Sequence, residues 1–173
     1  MPDRVRFERH DAAGARSLKE KVSFIHRDAY ADIIASGDPF ETPEAFRQRF
    51  DSHASHADLD FVIARIGGEL VGQAWGFPMA QPTIGAAQPT FAFCEIMVRK
   101  AWTGRGVAHA LHDDLLGART EPQAELYVRP DNTQAYRAYL KWGWHKVGET
   151  RPDLPDAPLF DVLILPLPVA ARP

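Results

Sequence analysis

Between residues 96 and 111 the chain reads Ile-Met-Val-Arg-Lys-Ala-Trp-Thr-Gly-Arg-Gly-Val-Ala-His-Ala-Leu. An apolar stretch runs into a basic, glycine-rich bend, and the bend opens an amphipathic helix. That order builds an anion site. The first turn of a helix leaves backbone N–H groups without partners, and the macrodipole favours negative charge there. Gly104 and Gly106 carry no side chain that would hold a phosphate off the backbone, and Arg99, Lys100 and Arg105 add positive charge. A plain turn needs neither two glycines nor three cations, so the run points to a bound phosphorylated cofactor.

Other reactive side chains carry weaker signals. His53/His56 and His109/His112 have i,i+3 spacing, which suits a metal on a helix, but no Cys or carboxylate cluster in the sequence accompanies them. They read as surface histidines, and no metal is expected. Cys94 has no activating partner nearby in sequence and reads as a buried thiol. Trp75, Trp102, Trp142 and Trp144 read as core or wall.

The elements that must position the bend follow from periodicity. Val5–Phe7 is a short strand candidate. From Ala12 to Ala35, Leu18, Val22, Ile25, Ala29 and Ile33 step by three and four, which predicts one amphipathic helix closed by Gly37 and Pro39. Thr42-Pro43-Glu44 starts the next helix, with Thr42 as N-cap and Pro43 at its first position. Two strands joined by Gly67-Gly68 read as a tight hairpin. The proline-containing stretch Pro78–Pro89 reads as a mobile loop. Phe91–Val98 is a strand, 106–116 a helix, and Glu125–Val128 a strand. Asp131 and Gln134 resemble a capping box before a helix that Gly143 ends. Strands at 144–147 and 160–165 follow, with a frayed tail from Pro166.

Bulk composition narrows the class. The 173 residues suffice for one domain with a real core, and the expectation is a single domain over 1–173. A net charge of −3 gives no global attraction to nucleic acid or an anionic membrane, so neither partner is expected. A single cysteine fits a reducing compartment. Met1-Pro2-Asp3-Arg4 opens no apolar segment of signal length, which adds to the expectation of a cytoplasmic protein.

Two motifs together carry a resemblance. Thr103-Gly104-Arg105-Gly106-Val107-Ala108 resembles the Gln/Arg-x-x-Gly-x-Gly/Ala motif of the GNAT superfamily of acetyl-CoA-dependent N-acetyltransferases. Leu126–Ala135 and Tyr139-Leu140-Lys141-Trp142-Gly143-Trp144 resemble that family's strand-Asn-Ala segment and its aromatic-Gly-aromatic end. The resemblance is strongest from about Glu95 to Val147. It implies an α+β (α/β mixed) fold: a mostly antiparallel, twisted central sheet of about seven strands. About four helices flank that sheet, and it splays between strands four and five. It also implies acetyl-CoA as co-substrate, with its pyrophosphate on the N–H groups of about Gly104, Arg105, Gly106 and Ala108 and with Val107 inside the same turn. Thr103 departs from the family's Gln or Arg, while the backbone donors that do the main pyrophosphate work are retained.

Roles follow by the same resemblance. The pantetheine arm maps to Ile96, Met97 and Val98, where a backbone N–H can stabilise an oxyanion and where sheet pairing is the other use of the same groups. Asn132 matches an asparagine that contacts pantetheine or holds the adjacent loop; helix capping accounts for it equally well. Tyr139 matches a tyrosine near the CoA sulfur, able to protonate the departing thiolate, and it also lies on an apolar face with Ala135 and Trp142. An alkyl amine has a pKa of about 10 and must lose a proton before attack. Glu95, an acid inside the apolar run 92–98, is the base candidate, directly or through water; a salt bridge or a solvent-facing position is the alternative.

The expected acceptor is a primary amine of a small molecule, and the expected assembly is a monomer or homodimer. Asp28, Asp32, Glu41 and Asp60 are candidates to receive a cationic amine. Two other readings compete. A dinucleotide fingerprint would place its first glycine directly after the first strand, which Gly104 does not satisfy. A non-catalytic acyl-CoA-binding module would keep the bend and dispense with Glu95 and Tyr139.

Overall fold

The computed structural model describes residues 4–170. Its strands are β1 (Arg6–His10), β2 (Asp60–Ile66), β3 (Glu69–Met79), β4 (Thr90–Val98), β5 (Gln123–Val128), β6 (His145–Thr150) and β7 (Phe160–Pro166). They hydrogen-bond in the order β1-β2-β3-β4-β5-β7-β6. The pairs β1/β2, β2/β3, β5/β7 and β6/β7 are antiparallel, and β4/β5 is parallel. A parallel pair needs a crossover, which the helix between these two strands supplies. This is the mixed, mostly antiparallel sheet that the motifs imply.

The helices are α1 (Ala12–Ser17), α2 (Lys19–Ala29), α3 (Ala31–Ala35), α4 (Pro43–Ala54), α5 (Val107–Gly117) and α6 (Thr133–Lys141), with a 3-10 turn at Lys100–Trp102. The single helix expected over 12–35 is broken twice. Leu18 (φ −99°, ψ 11°) and Tyr30 (φ −106°, ψ 20°) leave the α region, and the apolar period runs on through both breaks. The α4 start is as expected: Thr42 caps by accepting from Ala45 N–H, with Pro43 in the first turn.

The chain divides into two compact units. One comprises the described residues up to Phe77 together with Glu95–Leu115. In it, Phe61 to Ala64 of β2 are consecutively buried, so both faces of that strand are covered. Gly67 and Gly68 take positive φ (58° and 84°), as a two-residue hairpin turn requires. Gly72 of β3 allows close approach to β4: a Cβ there would lie 2.8 Å from the Met97 carbonyl oxygen. α4 packs on α1 and α2, and its Phe46 and Phe50 close around Trp75 of β3.

The other unit comprises Pro78–Cys94 and the described chain from Leu116 onward. Its β4/β5 ladder runs only from Thr90↔Gln123 to Ala92↔Glu125, although β5 continues to Val128. The two strands therefore part early, which is the expected splay. The stretch 78–89 is anchored, contrary to its reading as a mobile loop. Thr83 donates from its N–H and its hydroxyl to the buried Glu125 carboxylate (2.7 Å each), and Ile84 packs against Gly148 of β6. The α6 cap also differs from expectation. Asn132, one residue on from Asp131, accepts from Ala135 N–H, while Asp131 pairs with Arg129. Arg129 takes up the Asp131 carboxylate, and the cap falls to its neighbour. Beyond β7, Leu167 N–H still reaches the Pro122 carbonyl, so the tail remains tied past Pro166. Residues 1–3 and 171–173 lie outside the described residues, and with them most of the N-terminal segment read for a signal.

Candidate active site

The glycine bend has the geometry its sequence demands. Gly104 and Gly106 adopt φ of +74° and +78°, the left-handed region that costs a side-chain-bearing residue about 1–2 kcal/mol. A Cβ built on either meets nothing within 4 Å, so their carbon faces open onto free space. Ala110 N–H donates to the Gly106 carbonyl as the first bond of α5, so the N–H groups of the preceding turn have no partner inside the helix. Val107 is buried and anchors that turn, and Ala108 is half-buried. These residues fit a phosphate-bearing ligand: a backbone nest, open in front, at a helix N-terminus. Thr103 does not point its hydroxyl at such a ligand; it donates to the Lys100 carbonyl at 2.9 Å and holds the 3-10 turn.

The three cations of the bend divide. Arg99 pairs with Asp28 (3.2 Å), and Lys100 takes Asp28 on its N–H and Asp32 on its ammonium (2.6 Å). Of the three, only Arg105, exposed and stacked over Trp102 at 4.9 Å, keeps its charge clear of a carboxylate among the described residues. The expectation of three cations at the anion site is thus corrected to one. The other two tie the segment just after β4 to α2 and α3.

Glu95 lies on β4 with its side chain 13% exposed. Its Oε1 accepts from Arg49 Nε at 2.9 Å. Burial pushes its carboxyl above the ordinary carboxylate range; Arg49 pulls it back, and the nearby Glu41 charge pushes it up again. Arg49 itself bridges three groups. Nη2 reaches both Glu41 oxygens at 3.2 Å, and Nη1 reaches the Phe40 carbonyl at 3.1 Å. Its guanidinium stacks over the Phe40 ring at 4.4 Å. His26 of α2, fully buried and stacked on Phe46, donates from Nε2 to Glu41 Oε2 at 3.1 Å.

Sequence reasoning missed Arg49 and His26. Both look like ordinary polar positions on amphipathic helices; the one available signal was Arg49 falling beside Phe46 and Phe50 on the apolar side of α4. Of the acids proposed to meet an amine, only Glu41 joins Glu95. Asp28 and Asp32 serve Arg99 and Lys100, and Asp60 pairs with Arg9 at 2.8 Å.

Elsewhere, Ile96 and Val98 are half-buried on β4, and Met97 is buried with its sulfur accepting from Gln73 Nε2 at 3.2 Å. In the second unit, Tyr139 is half-buried on α6, edge-on to Trp142 and near Trp144, so its packing role is real. The histidines are not all on the surface. His112 is fully buried, because α5 turns that face inward with Leu111 and Leu115. Among the described residues, His109, His112 and Asp113 bring ligand atoms within 4.8 Å of one another, with His112 Nδ1 2.9 Å from Asp113. His53 Nδ1 accepts from Trp75 Nε1–H at 3.1 Å, and burial lowers its imidazole to about 4. Cys94 is half-buried.

The Acetyltransferase (GNAT) family model matches residues 24–144, a span that includes Glu95, the bend and Tyr139. The chain belongs to the GNAT family. It is an N-acetyltransferase, and the dinucleotide and non-catalytic readings fall away. It is 32% identical over 122 residues to the N-alpha-acetyltransferase RimI of Mycobacterium tuberculosis, covering 70% of this chain and 71% of that protein. Its fold is similar to Arabidopsis thaliana NAA60 in complex with a bisubstrate analogue (TM-score 0.69, 16% identity, 96% of this chain and 100% of that one). It is similar also to the ribosomal-protein-S18-alanine N-acetyltransferase of Escherichia coli (TM-score 0.66, 15% identity, 98% and 97%). No helix among the described residues is long and apolar enough to cross a membrane.

Proposed function

We propose that this GNAT enzyme transfers the acetyl group of acetyl-CoA to a primary amine by direct attack in a ternary complex. The observation that carries the reading is the left-handed Gly104–Gly106 bend at the start of α5, within nine to eleven residues of a base candidate on the same chain segment. The N–H groups of Gly104, Arg105, Gly106 and Ala108 hold the pyrophosphate, with Thr103 and Val107 shaping the turn and Arg105 adding charge. Ile96, Met97 and Val98 offer main-chain groups to the pantetheine arm. Acetyl-CoA supplies the acetyl group as a thioester. Glu95 takes the proton of the acceptor amine, directly or through one water. Its Oε2 accepts no hydrogen bond from the described residues and remains available for that proton. Tyr139 donates a proton to the departing thiolate and Asn132 steadies the chain before α6, the roles the family resemblance implies for them.

For the acceptor, an N-terminal α-amino group of a polypeptide is the better-supported choice over the small molecule expected from sequence. The RimI relative is an N-alpha-acetyltransferase. The physics agrees. An α-amine has a pKa of about 8 and an alkyl amine about 10, so the α-amine needs far less help from its base. A carboxylate that shares a guanidinium suits the lighter task. A thiol-release assay with acetyl-CoA over short peptides, polyamines and aminoglycosides tests the choice. Turnover on peptide N-termini that is lost on Nα-blocked peptides supports it. Turnover on small amines alone returns the acceptor to the small-molecule class, and CoA binding without turnover on any amine removes the proposal.

A further inference from the structure

Two carboxylates divide one guanidinium behind the proposed base. Arg49 gives Nε to Glu95 and Nη2 to Glu41, and the side chains are only 9%, 13% and 12% exposed in that order. So little water enters that their charges interact with weak screening. Two negative charges face one positive charge. If Arg49 served Glu95 alone, the carboxylate would be fixed in its ionised form and would be a poor proton acceptor.

We propose that Glu41 and Arg49 are positioning residues for Glu95: Arg49 aims the Glu95 carboxylate, and Glu41, by occupying the other edge of the same guanidinium, leaves Glu95 able to take a proton. The proposal deepens the reading of Glu95 as base and rests on it. The supports are built to hold this division. His26 donates to Glu41 from a fully buried ring stacked at 3.8 Å on Phe46, and the Phe40 carbonyl fixes Arg49 Nη1. The groups facing the pair come from every packed element: His26 on α2, Tyr30 at the α2–α3 junction, Glu41 before α4, and Arg49 and His53 on α4. Arg49 and His26 favour the Glu95 charge, whereas burial and Glu41 oppose it.

The test separates the relay from the base reading. The Glu95 carboxyl is titrated by 13C NMR on the full chain, assigned by the signal lost in Glu95→Gln, beside the pH profile of kcat/KM. Glu41→Gln keeps an acceptor for Arg49 but removes a negative charge, and should lower the Glu95 midpoint by about one pH unit, or tenfold in acidity. Glu41→Asp should restore it. Arg49→Lys, which keeps the charge and loses the fork, should move the midpoint the opposite way. A Glu95 midpoint that stays at its wild-type value in Glu41→Gln overturns the relay, as does a shift in the same direction for Glu41→Gln and Arg49→Lys. If the NMR midpoint moves while the acid limb of kcat/KM stays in place, the relay stands and Glu95 is not the base.

Discussion

The glycine bend and the Glu95 cluster lie in one compact unit and are made of opposite materials. The bend presents backbone N–H groups, and its side chains matter mainly by being absent: Gly104 and Gly106 at positive φ with open space before them. The cluster is built mainly from side chains, with the Phe40 carbonyl as its backbone member. His26, Glu41, Arg49 and Glu95 come from α2, a linker, α4 and β4, and each satisfies the next. A backbone site tolerates changes that keep φ and place no bulk or negative charge where the ligand would sit. A side-chain site of buried charges fails when one member goes, because its partner is left uncompensated.

The largest expected effect breaks the bend. Gly106→Glu puts a strained residue and a negative charge where phosphate would sit, and should weaken CoA binding about 100-fold or more by calorimetry. The open surroundings predict that the variant still folds, so wild-type affinity would refute the nest. Next comes the cluster. Glu95→Gln should lower kcat about 100-fold and remove the acid limb of the pH–rate profile. An unchanged profile would leave Glu95 as a structural partner of Arg49 only. Tyr139→Phe probes a residue outside both regions. It should lower kcat about tenfold with KM little changed, and an unaltered kcat would return Tyr139 to its packing against Trp142 and Trp144.

The smallest effect concerns His53, one turn beyond Arg49 on α4. Its imidazole titrates near 4 in the folded protein, below its ordinary 6.5. The unfolded chain therefore binds the proton more readily. Stability from this residue is full above about pH 6.5 and falls as pH drops toward 4, by about 1–3 kcal/mol in all. Urea denaturation between pH 7 and 4 should show this slope, and His53→Gln should flatten it. An equal slope in both proteins would assign the loss to other groups.

Legibility followed the reach of each interaction. The hairpin at Gly67-Gly68, the Thr42 cap and the bend at 104–106 depend on residues within four positions of one another, and all three were readable. The breaks at Leu18 and Tyr30 were not, because the apolar period continues across them. The loop 78–89 looked free in sequence because the glutamate that anchors Thr83 lies 42 residues away on β5. Charge assignments failed for the same reason: Arg99 and Lys100 look like phosphate ligands until α2 and α3 bring Asp28 and Asp32 beside them.

By itself the sequence determined the backbone chemistry of this protein: a glycine-rich helix start whose donors are set by local φ, and the family whose motif surrounds it. The tertiary structure alone decided the electrostatics of the base candidate. Glu95 is 46 residues from Arg49, and Arg49 is eight from Glu41. A carboxylate's proton affinity depends on which charges packing places within a few ångströms and on how much water is excluded, and neither is written in neighbouring residues.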